Sequence, residues 1–184
     1  MHPSPSSRST LLSAARLVAV LGAAWAGAVH ADVYGDVAQQ LRDGKRAQAL
    51  AAAQAYIAGK PTDPQMRFLL GVIQTESGST EQAIQTFTRL TQEYPELPEP
   101  HNNLAVLLAG LGQFDQAREE LAMAIRANPD YATAHEKLGD VYAKLASLAY
   151  ARSLQLDKAN TALAPKLTLL QQLLTPATKP AKSP

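Results

Sequence analysis

PEPHNNLAVLLAGLGQFDQAREELAMAIRANPDY, residues 98–131, decides the fold. Before Gly112, Leu104, Leu107, Leu108 and Leu111 recur at the three- and four-residue spacing of one helix face; after it, Ala117, Leu121, Ala124 and Ile125 do the same. Gly112 is free to take the left-handed backbone that closes a helix, and Pro129 has no N–H and cannot continue one. The segment predicts two helices joined at a glycine turn. Small alanines where they cross would let the helices approach closely, which a leucine there would prevent by overpacking.

The same punctuation recurs outward from this segment with a period of 34 residues. Gly44, Gly78 and Gly112 keep it, as do Ala49, Ala83 and Ala117, and Pro61, Pro95 and Pro129. A period of this length signals stacked helix pairs, each unable to bury its apolar face without a neighbour.

In residues 98–131 the register resembles the tetratricopeptide repeat: Leu104 as its first-helix leucine, Gly112 its turn glycine, Ala117 its crossing alanine, Leu121 its aromatic or leucine, Ala124 its second alanine and Pro129 its closing proline. His101 stands where that family prefers tryptophan, Ala105 replaces a glycine and Leu108 a tyrosine. Residues 64–97 match through Leu70, Gly71, Gly78, Ala83, Phe87 and Pro95, with Arg67 and Gln74 in place of the early aromatics. Residues 32–63 form a worn opening repeat that keeps Gly44, Ala49, Ala53 and Pro61. The resemblance implies an all-α superhelix, a right-handed solenoid of about four helix pairs plus a C-terminal capping helix.

The fourth unit, 132–158, is shortened. His135, Leu138, Gly139 and Tyr142 match a first helix and Ala146, Tyr150 and Leu154 a second, but five residues are missing between them, and neither glycine nor proline marks a turn. Nothing from Thr133 to Asp157 forces a break, so the two helices are predicted to fuse into one. A capping segment at 160–175 should hold a last helix from about Thr161 to Leu174, with Asn160 or Thr161 as N-cap, Pro165 in its first turn and Leu167, Leu170, Leu173 and Leu174 on its apolar face; it should cover the end of the stack. Residues 176–184 alternate proline, lysine and small residues and are expected to be disordered.

Compartment is read from the N-terminus, since the chain has no cysteine. Arg8 and Arg16 precede a run of apolar and small residues from Leu17 to Val29, and no acid appears before Asp32. The run is shorter than the roughly 20 residues of a spanning helix, and Val29 and Ala31 put small side chains where a signal peptidase reads. Residues 1–31 are therefore expected to be a signal peptide cleaved after Ala31, and the location periplasmic. An amphipathic first helix or uncleaved anchor is the other reading, disfavoured because Leu17–Leu21 is apolar on all sides. Of 184 residues 46% are hydrophobic and 18% charged; cleavage would change the net charge from +1 to −1, with 15 basic against 16 acidic residues. That balance opposes nucleic-acid binding and steering to anionic membranes.

A search for chemistry finds little. His101 and His135, at equivalent positions 34 apart, could be metal ligands, but no further acid or histidine stands at i, i+4 to His101 to complete a site, and both are expected to fill the tryptophan position between helices. Glu119–Glu120 and Glu96/Glu99 read as solvated surface, and no phosphate loop, Ser-His-Asp set or zinc-protease helix occurs. No enzyme activity, metal or cofactor is expected.

What remains is the concave face that stacked helix pairs present. The resemblance places the second, fifth, ninth and twelfth residues of each repeat on it: Gln65, Phe68, Val72 and Thr75; Glu99, Asn102, Val106 and Ala109; Thr133, Glu136, Asp140 and Ala143. Phe68, Val72 and Val106 are then expected to make an apolar strip beside the amide Asn102 and the acids Glu136 and Asp140, suited to a protein or peptide with apolar anchors and some positive charge. A merely solvated inner face is the alternative. Phe68 and Val72 occupy places where relatives that clamp a terminal carboxylate need lysine and asparagine, so that specificity is not expected, and Asn103 is too widespread in the family to restore it. The chain is read as a periplasmic adaptor or scaffold, or alternatively as a non-catalytic regulatory module of a cell-wall enzyme or secretion complex.

Overall fold

The computed structural model describes residues 33–175; the expected signal peptide with its cleavage after Ala31, and the tail 176–184, lie outside the described residues. Among the described residues there are eight α-helices and no strand. They are α1 (Val33–Arg42), α2 (Arg46–Gly59), α3 (Pro64–Glu76), α4 (Thr80–Glu93), α5 (Pro98–Gly110), α6 (Phe114–Ala127), α7 (Ala132–Leu156) and α8 (Leu163–Leu174). Each helix packs on the next, and α1 also touches α3 and α5 touches α7, so first helices stack along one side as a superhelix requires. No described helix is long and apolar enough to cross a membrane.

The register has a direct structural cause. Gly44, Gly78 and Gly112 all sit at φ of +74° to +76°, where a side chain would be strained. At the end of α5 the Gly112 N–H donates to the Ala109 carbonyl and the Gln113 N–H to the Leu108 carbonyl, closing the helix with a pair of bonds that satisfies otherwise orphaned carbonyls. Just beyond each turn, Ala49, Ala83 and Ala117 are 0% exposed, which is why the position stays small. The tryptophan position is filled by polar pairs instead: Arg67 makes a two-pronged salt bridge to Glu93, and buried His101 is hydrogen-bonded through Nδ1, 2.7 Å from Glu120 Oε2. Gln74, in the other aromatic place, accepts from Thr86 at 2.7 Å and so ties α3 to α4.

Asp63 knots the first three helices. It caps α3 by accepting the Met66 N–H at 2.8 Å, and it accepts the hydroxyls of Tyr34 on α1 and Tyr56 on α2. Burial works against its charged form, but the bonds from Tyr34, the Met66 backbone and Tyr56 outweigh that and hold the carboxyl below its ordinary 3.8. The Tyr34 phenol is in turn pushed up, first by its bond to Asp63. A carboxyl depressed in the folded state contributes stability that is full above its unfolded pKa and lost as pH falls through the folded one. Asp63→Ala should therefore cost about 1 kcal/mol at neutral pH, and the gap to the wild type should close well below 3.8. Urea melts at both pH values check this; a gap independent of pH would contradict it.

The fourth unit is one unbroken helix, α7, of 25 residues, as expected, and the capping helix after it packs on α7, the last helix of the stack, but covers it only in part. α8 packs along α7, with Leu163 buried, while Gly139 and Tyr142 on the outer side of α7 stay exposed. Nor is α8 capped by Asn160 or Thr161: its N-cap is Ala162, without a side-chain bond, and Pro165 lies in the first turn as anticipated. Leu173 of its expected apolar face is 70% exposed, because α8 packs mainly on α7 and can bury only one narrow stripe there.

Candidate binding face

The candidate residues lie on α3, α5 and α7, the three first helices that stack side by side. Val106, in the middle of α5, is 45% exposed. Glu136 and Asp140 on α7 are exposed as well, but they are not free anions: Lys137 bonds Glu136 at 2.8 Å and reaches Asp140 at 3.6 Å. Their neighbour holds the Glu136 carboxyl below its ordinary range through that bond, and the Lys137 ammonium is held up. The three side chains together present one net negative charge, less attraction for a cation than two acids alone would give.

The apolar strip is narrower than the register suggests. Phe68 is half-buried, packed on the core with its ring 5.8 Å from that of Phe87, and Val72 is half-buried between the two core clusters. Asn102, expected as an open amide, is only 7% exposed, and its Oδ1 has no hydrogen-bond partner. The reason is its helix: α5 is flanked by α4 and α6 and touched by α7, so residues at its base are closed over. Asn103 bonds the Glu99 carbonyl of its own helix at 2.9 Å. Of the candidate positions, Val106, Gln65, Glu99, Thr133, Glu136 and Asp140 stay exposed. The far end of this face is bordered by α8, whose Leu173, Leu174 and Thr175 line a cleft with Ala109, Phe114, Asp140, Val141 and Lys144. Position along the sequence could not have revealed that border, because α8 lies outside the repeat register.

The two histidines part company. His101 packs between α5 and α6 as expected, but His135 is exposed, its Nε2–H donating to the Pro129 carbonyl at 2.9 Å, because the fourth unit has no second helix to cover it. Among the described residues no cluster of three or more metal-ligating side chains occurs.

Two family models, both described as tetratricopeptide repeat, match residues 39–98 and 74–145. The helix pairs, glycine turns and crossing alanines agree with that match, and the chain belongs to the tetratricopeptide repeat family. Repeats of this family mediate protein–protein interaction and are in general non-catalytic scaffolds. The chain is 30% identical over 125 residues to a probable biofilm formation methyltransferase, WspC, of Pseudomonas putida, covering 68% of this chain and 29% of that protein. It is 32% identical over 82 residues to the TPR repeat-containing thioredoxin TTL4 of Arabidopsis thaliana, covering 45% of this chain and 12% of that one. The chain thus spans under a third of the length of either curated relative. Among solved structures, the first TPR of Spaghetti (RPAP3) bound to the HSP90 peptide SRMEEVD superposes with a TM-score of 0.58 at 11% identity, over 62% of this chain and 90% of that one.

Proposed function

We propose that this protein is a periplasmic adaptor or scaffold without catalytic activity of its own, holding a protein or peptide partner on the face of α3, α5 and α7. The observation that carries the reading is Val106: an apolar side chain left 45% exposed on the middle one of the three first helices α3, α5 and α7. An apolar anchor on the partner would seat there, and a basic group beside it would meet Glu99 and the Glu136–Lys137–Asp140 cluster. A solved protein of the same fold is bound to a peptide, which supports a peptide segment as the occupant. The near-neutral charge balance speaks against nucleic acid.

Export rests on residues 1–31, and fractionation tests it: the full chain should reach the periplasm, and a chain lacking 1–31 should not. Crosslinking in that compartment, followed by mass spectrometry, would identify the partner. Val106→Glu should weaken its capture by about tenfold with the helical signal unchanged, since the side chain already faces solvent. Undiminished capture would remove this face from consideration. A second reading, a regulatory module of an envelope enzyme or secretion complex, draws on both curated relatives carrying enzyme names, with the matched stretch a minor part of each. A stoichiometric enzyme or pore subunit among the crosslinked products would favour it.

A further inference from the structure

One pair of register positions in each helix pair, eight and twenty-four residues into the repeat, follows a pattern of complementary size. Val37 is buried in one cluster with Ala53, and Ala105 in the other with Leu121. Gly71, between them in the register, faces Phe87 so closely that a Cβ there would lie 2.6 Å from two ring carbons. The residue on the first helix shrinks as its partner on the second grows.

The next position in this register is Gly139, 68 residues after Gly71. The residue that should face it, after the five-residue deletion, is Tyr150, an aromatic matched to a glycine as in the Gly71–Phe87 pair. Within one chain they cannot meet. α7 is continuous, so Tyr150 stands eleven residues farther along, about 16 Å away at 1.5 Å per residue. A Cβ on Gly139 would meet nothing within 4 Å, and Tyr142 beside it is 53% exposed.

We propose that a second copy of this chain supplies the missing helix. The two α7 helices pair antiparallel about a two-fold axis near Lys144–Leu145, and the second half of each serves as the second helix of the other's fourth repeat. His135, Gly139, Tyr142, Ala146, Tyr150 and Ser153 follow one another at spacings of three and four and so share one face of α7, with no lysine, arginine or carboxylate among them. Under the two-fold, Tyr150 lies over Gly139 of the partner and Tyr142 over Ala146, so each large side chain meets a small one, as a self-complementary interface needs. α8 does not block this face. It lies beside Asp140, Lys144, Ser147 and Leu148, about 100° around the helix per residue of offset. Lys166 of α8 does approach the stripe, its Nζ 5.3 Å from the Tyr150 ring centre.

The test is the mass of the full chain in solution, by light scattering across a range up to about 100 μM, the weak end of specific association. The wild type should show twice the chain mass. Gly139→Leu should abolish pairing or weaken it at least tenfold while keeping the helical signal, because the space around Gly139 is open in a single chain and leucine suits a helix better than glycine. A single-chain mass at every concentration would overturn the proposal, and so would a dimer that Gly139→Leu leaves intact.

Discussion

Phe87→Ala should lower the stability of the fold by about 3–5 kcal/mol, the largest loss expected from any single truncation in this core. The ring is 0% exposed, the bulkiest side chain so fully buried, and it fills the hollow above Gly71 that no Cβ shares. Its removal would leave a cavity bounded by a glycine, which has no side chain to move in, so relaxation can recover little of the loss. Phe68 would lose its tilted aromatic neighbour as well, a contact of about 0.5–1.5 kcal/mol beyond area alone. In a stack whose stability is the sum of units and their interfaces, this loss falls on both the α3–α4 pair and its junction with α5. Urea unfolding should show the midpoint falling at unchanged slope. Phe87→Leu should cost under about 1.5 kcal/mol, since Leu121 occupies the same register position in the next repeat. Equal losses from both variants would mean that the ring is not packed as described.

The parts of this fold that were legible in the sequence are those governed by the backbone. Gly78 and Gly112 announce their turns because only glycine takes φ near +75° without strain, and Ala83 and Ala117 announce crossings because nothing larger fits. The fusion of α7 was legible for the complementary reason, that a turn needs residues which Leu145, Ala146 and Ser147 do not supply. The placement of α8 was not legible. Its leucines specify an apolar stripe without specifying which helix the stripe will meet, and no capping side chain fixes its start.

The candidate residues fall on α3, α5 and α7, with Val106, Glu136 and Asp140 exposed as the register suggests and Phe68, Val72 and Asn102 more enclosed than it suggests. Register states which way a Cα–Cβ bond points, whereas exposure depends on how far the side chain reaches and on what stands next to it. Phe68 points along the concave row, yet its ring reaches sideways to Phe87; Asn102 shares the row with Val106 but lies where α5 is enclosed. His101 and His135 make the same point at identical register, one buried by α6 and the other bare because α7 runs straight on. Glu136 and Asp140 were read as acids to be answered by a ligand, and Lys137 between them already answers in part.

Gly71→Ala and Gly139→Ala should move stability in opposite directions, although the two positions are equivalent by sequence. In an ordinary helix interior, alanine gains up to about 1 kcal/mol over glycine. At Gly139 that gain should appear nearly in full, about 0.5–1 kcal/mol, because the new methyl meets no atom within 4 Å; dilute protein should be used, where chains do not pair. At Gly71 the methyl would lie 2.6 Å from Cε1 and Cζ of a ring that is 0% exposed and held by Phe68. Overpacking of this kind costs about 1–3 kcal/mol, more than the helix term returns, so a net loss of about 1–2 kcal/mol is expected. The cause can be isolated by repeating Gly71→Ala in a Phe87→Leu background. Ala105 and Leu121 coexist in the next repeat without a clash, so the leucine should accommodate the methyl and most of the penalty should vanish. Thermal melts of the four chains in that cycle give the coupling directly. An additive cycle would place the cost of Gly71→Ala in the backbone of α3 instead of in its contact with Phe87, and would take with it the size rule that singles out Gly139.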